Sequence, residues 1–346
     1  MINKEVRIAV AGIGLIGLKH IEAIQKAKNV KLVLLIEKDK ERRENLKKYN
    51  LPLYENIITA TNHEKIDGII ISTPNTEHLK NSIDAINSGC NVLIEKPIST
   101  HSTDVKKLIK HKTLNNVEIL VGHHRRHNPI IKKAKEIIDN GELGELKTVH
   151  INCLMHKPDQ YFKSSKWRTK KGSGPILVNL IHDIDLINFL CGDIISVQSQ
   201  LKPSSKGFEN EEVAGAILRF KNGMIGSVLV SDTVASPWSW ELTARENEIY
   251  PSTPESCYQI GGSVGSMSLP NLTIWKHQGQ PDWYNPITAT KIPYEFSDPL
   301  VNQINHFAEI IRNKTNPIIS AETAMKTLMV IEAIHNSSKT NQIVEL

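Results

Sequence analysis

Cysteine is scarce in this chain: Cys90, Cys153, Cys191 and Cys257 stand far apart, and no two form a CxxC pair. That spacing argues against a zinc site or a disulfide framework and leaves small buried thiols in a reducing compartment. Long apolar runs are missing too. None reaches the roughly 18 residues a bilayer span requires. The first residues, MINKEVRIAVAG, pass directly into a strand pattern with no separate apolar segment and cleavage site, so the expected location is the cytoplasm, with no membrane partner. No internal repeat or low-complexity tract interrupts the chain.

Charge of one sign is also lacking. The net charge is +5 and the excess is spread along 346 residues, with only HHRRH (123–127) dense. An anionic small ligand needs no more than this, and nothing calls for a nucleic-acid partner. With 40% hydrophobic and 23% charged residues, the composition is that of a globular protein long enough for two cores.

What is present begins with VRIAVA (6–11), a short buried strand, followed at once by Gly12-Ile13-Gly14-Leu15-Ile16-Gly17 and by Leu18, Ile21 and Ile24 at helical spacing. A GxGxxG run between strand and helix has a physical reading. The first glycine allows the tight turn, the second admits a pyrophosphate, and the third lets helix and strand pack closely. Free N–H groups at the helix start then face the phosphates. KLVLLIE (31–37) ends in Glu37, twenty residues beyond Gly17, where a carboxylate receives the adenosine ribose hydroxyls and repels a 2′-phosphate. NAD is therefore the expected cofactor. Lys38, Arg42 and Arg43 follow closely enough to keep NADP open.

Strand and helix patterns continue to alternate through IDGIIIS (66–72), LKNSIDAINSG, NVLIE (91–95) and VEILVG (117–122), which predicts a parallel sheet covered on both faces. Loops leaving the strand C-termini should line the ligand crevice, and two stand out: Thr73-Pro74-Asn75 and Glu95-Lys96-Pro97. From KTVHINCLM (147–155) onward strands outnumber helices, with IISVQSQL, EVAGAILRF, MIGSVLVS and SMSLPNLTIWKH, and Lys221-Asn222-Gly223 reads as a hairpin turn. PWSWELTARENEIYPSTPESCYQIGG (237–262) reads as irregular and too long for a simple connector.

GIGLIG, STPNTEH (72–78), EKP (95–97), VGHHRRHNP (121–129), the GSG…HDID segment (172–185) and the C-terminal DPLVNQINHFAEII and AETAMKTLMVIEAIHNSS stretches occur in one order along the whole chain. In that order and spacing the sequence resembles the Gfo/Idh/MocA family, named for glucose–fructose oxidoreductase, inositol dehydrogenase and MocA. The resemblance implies an α/β protein: an N-terminal Rossmann parallel sheet, expected over 1–124, and a C-terminal α/β domain with a large open, mostly antiparallel sheet, over 125–346. It implies NAD(P)-dependent hydride transfer at a secondary hydroxyl or ketone of a sugar, cyclitol or related polyol. A homodimer or homotetramer through the C-terminal sheet is implied as well, and no metal is expected.

The resemblance also implies site residues. Lys96 maps to the family's active-site lysine, often joined to Pro97 by a cis bond, with Glu95 orienting it. Trp167-Arg168 maps to a pair near nicotinamide and substrate. The dinucleotide set is then Gly12 to Gly17, Glu37, Thr73, Pro74, Asn75, His78, Glu95, Lys96, Trp167 and Arg168. Lys96 and His182 are the catalytic candidates, since a lysine buried beside a cationic ring loses its proton readily and histidine titrates near neutrality. Substrate contacts are expected from Lys96, His123, Arg125, Tyr161, Asn179, His182 and Asp183. His124, Arg126 and His127 are expected at solvent or the domain seam, and Asp185 in a structural role.

One departure is notable. Relatives carry an aspartate four residues before the histidine, where this chain has Val178. Helical spacing puts Asn179, His182 and Asp183 in one arc, so Asn179 or Asp183 is the expected substitute. Two other outcomes stay open: a glycoside hydrolase that uses bound NAD for transient oxidation, and a non-catalytic NAD-binding sensor.

Overall fold

The computed structural model describes residues 5–346 and divides them into two compact units, one formed by the chain up to Asn128 with Ser297–Leu328, the other by Pro129–Phe296 with Met329–Leu346. In the first unit the strands are β1 (Val6–Ala11), β2 (Val30–Ile36), β3 (Leu53–Tyr54), β4 (Gly68–Ile71), β5 (Asn91–Ile94) and β6 (Ile119–Val121). Helices α1 (Leu15–Lys26), α2 (Lys40–Leu46), α3 (Ile57–His63), α4 (His78–Asn87) and α5 (Ser102–Asn115) connect them. All pairings are parallel, in the order β3-β2-β1-β4-β5-β6, the order of a doubly wound nucleotide-binding sheet. Ile69, Ile70 and Ile71 are fully buried, as a strand covered on both faces requires. Each contributes about 1.5–3 kcal/mol by leaving water.

One of those faces is covered from far along the chain. Helix α10 (Pro299–Asn313) starts at Asp298, whose carboxylate caps the Leu300 amide, with Pro299 in the first turn. It lies beside α1, where Asn305 Oδ1 accepts from the Lys28 amide at 3.0 Å. A Cβ on Gly68 would strike Phe307 and Ile311, so β4 and α10 meet without a side chain between them. The sequence pattern put everything after 124 in the second domain; the fold instead returns 297–328 to the first.

That return also relocates part of HHRRH. Arg126 is buried, and its Nη1 donates to the Ile318 carbonyl at 3.2 Å. His127 Nε2 lies 3.0 Å from His306 Nδ1 on α10. Neither Arg126 nor His127 is a surface cation; each is held by a residue some 180 or more positions away. Burial lowers the pKa of His127 well below the ordinary histidine range, and His306, His124 and Arg126 push the same way. Burial also lowers that of His306, against Glu309. One proton fits between the two facing nitrogens; two would repel.

The unfolded chain takes up protons on these rings as pH falls through about 6.5, whereas the folded pair resists. Their contribution is therefore complete above that pH and lost as pH falls below it. Melting temperature should fall between pH 7 and 5, and a His127→Gln/His306→Gln double variant should show a shallower fall in thermal melts. An unchanged slope would remove the pair from the pH response.

The second unit starts with α6 (Pro129–Asp139) and runs through β7 (Leu146–Leu154), α7 (Asp159–Lys163), α8 (Ile181–Cys191), β8 (Ile194–Pro203), β9 (Glu211–Phe220) and β10 (Ile225–Ser231). It continues with α9 (Trp240–Thr243), β11 (Tyr258–Gly262), β12 (Ser266–Leu269), β13 (Thr273–His277) and β14 (Ile287–Lys291), and closes with β15 (Val344–Glu345) after helix α11 (Ala321–Thr340), which spans both units. Nine strands form an open sheet, β14-β13-β12-β11-β7-β10-β9-β8-β15. Only β7 and β10 pair in parallel, so the expected mostly antiparallel sheet is present. Gly223, at φ +86°, turns β9 into β10, the conformation a hairpin turn asks of glycine.

The stretch read as irregular over 237–262 contains α9 and β11. Its end pairs with β7, and the fully buried Tyr258 stacks on Trp240. All four cysteines are buried free thiols. Burial pushes the Cys90 thiol up to about 11 and that of Cys191 to about 12. Among the described residues no helix is long and apolar enough to cross a membrane.

Candidate functional site

In the first unit the strand order reverses between β1 and β4, and the loops leaving these two strands face each other. Gly12 has φ +86°, and a Cβ there would meet the Thr73 amide at 2.6 Å and Ser72 at 2.7 Å. Gly17 would drive a Cβ into the Gly12 carbonyl. Gly14 differs: nothing lies within 4 Å of its Cβ position. The first and third glycines thus let the chain close on itself, and the middle one leaves room for a ligand to reach the backbone. Helix α1 begins with no side-chain cap and its first intrahelical bond is Leu18 N to Gly14 O. The Leu15 and Ile16 amides are therefore donors at a positive helix end. Ile13 is not among those donors, because its amide binds Glu37 Oε2 at 2.8 Å.

Glu37 is buried at the end of β2, and its other oxygen accepts from the Asp39 amide at 3.0 Å. Two amides hold the carboxylate in place while each oxygen keeps a lone pair for a ribose hydroxyl. Arg43 is committed to the carbonyls of Glu37 and Lys38, at 2.6 and 2.8 Å. Arg42, largely exposed, is 4.0 Å from the carboxylate. A dinucleotide fits the glycine cradle and this acid.

Behind the cradle, Glu95 is buried and pinned from two sides. His20 Nε2 meets Oε1 at 2.8 Å, and the Lys96 amide donates to Oε2 at 3.1 Å. Burial alone would raise the Glu95 pKa; the His20 bond and the charges of His20, His124 and Lys96 outweigh it and lower the value. Gly122 leaves the space this carboxylate occupies. The half-buried Lys96 is thus fixed at its backbone, and the Lys96–Pro97 bond is cis.

His78 lies where the cofactor set was expected, but its role in the fold is a strut. Its ring nitrogens meet the Pro97 carbonyl at 2.8 Å and the Thr73 carbonyl at 2.9 Å, tying the two strand-end loops together. Pro74 and Asn75 are exposed at the tip, and Asn81 holds Thr73 Oγ1 at 3.0 Å. His123 and Arg125 are buried just after β6.

The second unit carries a separate polar cluster. The turn Ile176–Leu180, wound more widely than an α-helix, leads into α8; such turns often accompany function. In it, Asn179 Oδ1 accepts from Lys157 Nζ at 2.8 Å and Nδ2 donates to Glu241 Oε1 at 3.2 Å. Lys157 is buried and also reaches Asp232 Oδ2 at 3.4 Å. Burial lowers the Lys157 pKa against the pull of Asp232 and raises that of Asp232 against Lys157. The Tyr161 ring lies against both Lys157 Nζ, 4.9 Å from its centroid, and the Arg168 guanidinium, at 4.1 Å. Trp167 is half-exposed beside it.

His182 is buried on α8. Asp183 is fully buried and accepts the Tyr258 hydroxyl, which ties α8 to β11 within the core. Asn179 and Asp183 thus part company despite their spacing. Of the residues expected at the substrate, the structure gathers Tyr161 and Asn179 around Lys157, and Arg168, expected in the dinucleotide set, lies against the same Tyr161 ring. Lys157, Asp232 and Glu241 lay outside the sequence reading: they belong to no motif, and only the sheet brings 157, 179, 232 and 241 together.

The description "Oxidoreductase family, NAD-binding Rossmann fold" matches residues 6–123, and "Oxidoreductase family, C-terminal alpha/beta domain" matches 135–346. A scyllo-inositol 2-dehydrogenase (NAD+) of Bacillus subtilis is 27% identical over 99% of this chain and 96% of its own. Among solved structures, an oxidoreductase from Agrobacterium radiobacter, crystallised with NAD+, L-tartaric acid and magnesium, aligns with a TM-score of 0.83 at 18% identity, over 99% of this chain and 98% of that one. Myo-inositol 2-dehydrogenase from Lactobacillus plantarum aligns at 0.78 and 22% identity, over 99% and 100%. With both halves matched in order, the chain belongs to the Gfo/Idh/MocA oxidoreductase family, and its first unit is an NAD-binding Rossmann domain.

Proposed function

We propose that the protein is a dehydrogenase that moves a hydride between the nicotinamide of NAD and a secondary hydroxyl or ketone of a sugar, cyclitol or related polyol. The observation that carries this reading is the Glu95–Lys96 pair: a buried carboxylate, held by His20, fixes the backbone of a half-buried lysine at the end of β5. The preference for NAD over NADP rests on the buried Glu37 carboxylate and on Arg43 being spent on backbone carbonyls.

When bound, nicotinamide accepts the carbinol hydride, and the chain controls position and protons. Lys96, as the neutral amine, takes the hydroxyl proton as the C–H bond breaks, and returns it for reduction. His182, buried on α8, is the second candidate for proton transfer. Asn179, clamped between Lys157 and Glu241, has its other amide hydrogen only against Met155 Sδ at 3.9 Å, a weak contact that a substrate oxygen can replace. Asn179→Ala should raise KM about tenfold, the loss of one well-oriented hydrogen bond, with a smaller change in kcat. If steady-state kinetics show neither changed, Asn179 serves the fold alone.

The test of the reading is a nicotinamide absorbance screen with NAD and NADP against sugars, inositols, sugar acids and nucleotide sugars. Reduction with none of them, under either cofactor, would overturn it. We also propose assembly as a homodimer or homotetramer through the large sheet, supported by Ile217, Ile225, Leu229 and Trp275 standing exposed on it. A monomer by light scattering would refute that. Four free thiols suit a reducing cytoplasm.

A further inference from the structure

We propose that Lys157, Tyr161 and Arg168 form an anion-binding face in the second unit, so that the substrate is a polyhydroxy acid held by its carboxylate. This rests on the dehydrogenase reading for the reaction but not for the binding.

The argument is a count of donors and acceptors. Lys157, nine-tenths buried, has three ammonium hydrogens; one goes to Asn179 and one, at longer range, to Asp232. The Arg168 Nη1 hydrogens go to the Tyr161 carbonyl at 2.9 Å and Ser164 Oγ at 2.6 Å, while buried Nε has no acceptor. Tyr161 spends its amide on the Pro158 carbonyl and its carbonyl on Ser164 and Arg168, and among the described residues its hydroxyl makes no hydrogen bond. Burial favours the protonated phenol, against the Arg168 charge. Most acceptors nearby are already engaged, Asn179 Oδ1 and Asp232 Oδ2 by Lys157 and Glu241 Oε1 by Asn179, while buried Glu241 Oε2 accepts no hydrogen bond from the described residues.

What the face has to spare is therefore more donors than acceptors, the donors lying on two cations and the aromatic ring that both approach. A neutral polyol brings a donor with every acceptor and would leave most of its own hydroxyl hydrogens unmet. A carboxylate brings acceptors only, and its bonds to charged donors are the stronger kind. The surroundings agree. Residues 157–171 hold six cations, Lys157, Lys163, Lys166, Arg168, Lys170 and Lys171, against one acid, Asp159. Asp159 is itself neutralised by Lys206 at 2.5 Å. Such a stretch draws anions toward it.

The test compares matched pairs, D-gluconate with D-glucitol and L-tartrate with L-threitol, by calorimetric titration of the NAD-loaded protein and by nicotinamide reduction. Tyr161→Phe, which removes one oxygen atom, and Arg168→Gln are measured beside the wild type. At least one acid should bind about tenfold or more tightly than its neutral partner. Arg168→Gln should lose at least tenfold of acid affinity and Tyr161→Phe about fivefold, each loss larger for the acid than for its neutral partner or for NAD.

Equal or tighter binding of the neutral partner overturns the proposal, as does the absence of acid binding at millimolar concentration. A loss that falls on NAD instead also overturns it, since the anion would then be a cofactor phosphate. Acid-selective binding without nicotinamide reduction supports the face and refutes the dehydrogenase. Reduction by neutral polyols without acid preference does the reverse.

Discussion

Lys96→Ala should lower kcat by about a thousandfold, the usual reach of a positioned acid–base group, while NAD affinity stays within about threefold. The split follows from which contacts the side chain makes no part of. The α1 amides after Gly14 are donors available to phosphates, and Glu37 keeps acceptors available to a ribose. Glu95 keeps His20 and the residue 96 amide, so the backbone anchor of the loop stays in place. Steady-state rates and fluorescence titration with NADH separate the two effects. Near-normal turnover removes Lys96 from proton transfer, and a parallel loss of NADH binding makes it a cofactor contact.

Gly174→Ala should destabilise the second unit strongly. A Cβ there would lie inside the Glu211 carboxylate, whose Oε1 accepts from the Ile176 amide at 3.1 Å at the start of the wide turn. Glu211 is buried, so displacing it leaves both a carboxylate and an amide without their partner, at about 3 kcal/mol. For a cooperative unit the size of the second unit that corresponds to a fall in Tm of about 6–12 °C, and Asn179, in the same turn, should lose its place against Lys157. Gly172→Ala is the control. Gly172 sits at φ +79° with nothing within 4 Å of a Cβ, so only backbone strain, about 1 kcal/mol, is added. Equal melting of the two variants would show that Glu211 yields without cost.

These two predictions differ in how far the sequence alone could have led to them. The cradle was legible because its logic is local: strand, three glycines, helix and an acid at the next strand end lie within 37 residues, and each glycine acts on its near neighbours. EKP marked the strand end where Lys96 stands with its amide on Glu95 and a cis bond to Pro97. Asp183 was misjudged because helical periodicity identifies a shared arc but not what that arc meets; Tyr258, on a strand hidden in an irregular-looking stretch, takes its carboxylate. Lys157 sits in a segment that reads as a basic surface loop, and nothing in its neighbours signals burial. Glu211 is an unremarked strand residue until it is placed against Gly174.

The nested path of the chain has a consequence for synthesis. The first unit is complete only when residues 297–328 have returned to it, since Phe307 and Ile311 are what lies against Gly68 of β4. A ribosome that has finished β6 has made the whole parallel sheet and none of α10. The nascent sheet must wait, with part of one apolar face uncovered, while more than 170 further residues are translated. A gene fragment ending near residue 128 would freeze the protein at that stage, so a soluble, excised cofactor domain needs α10 fused back onto it.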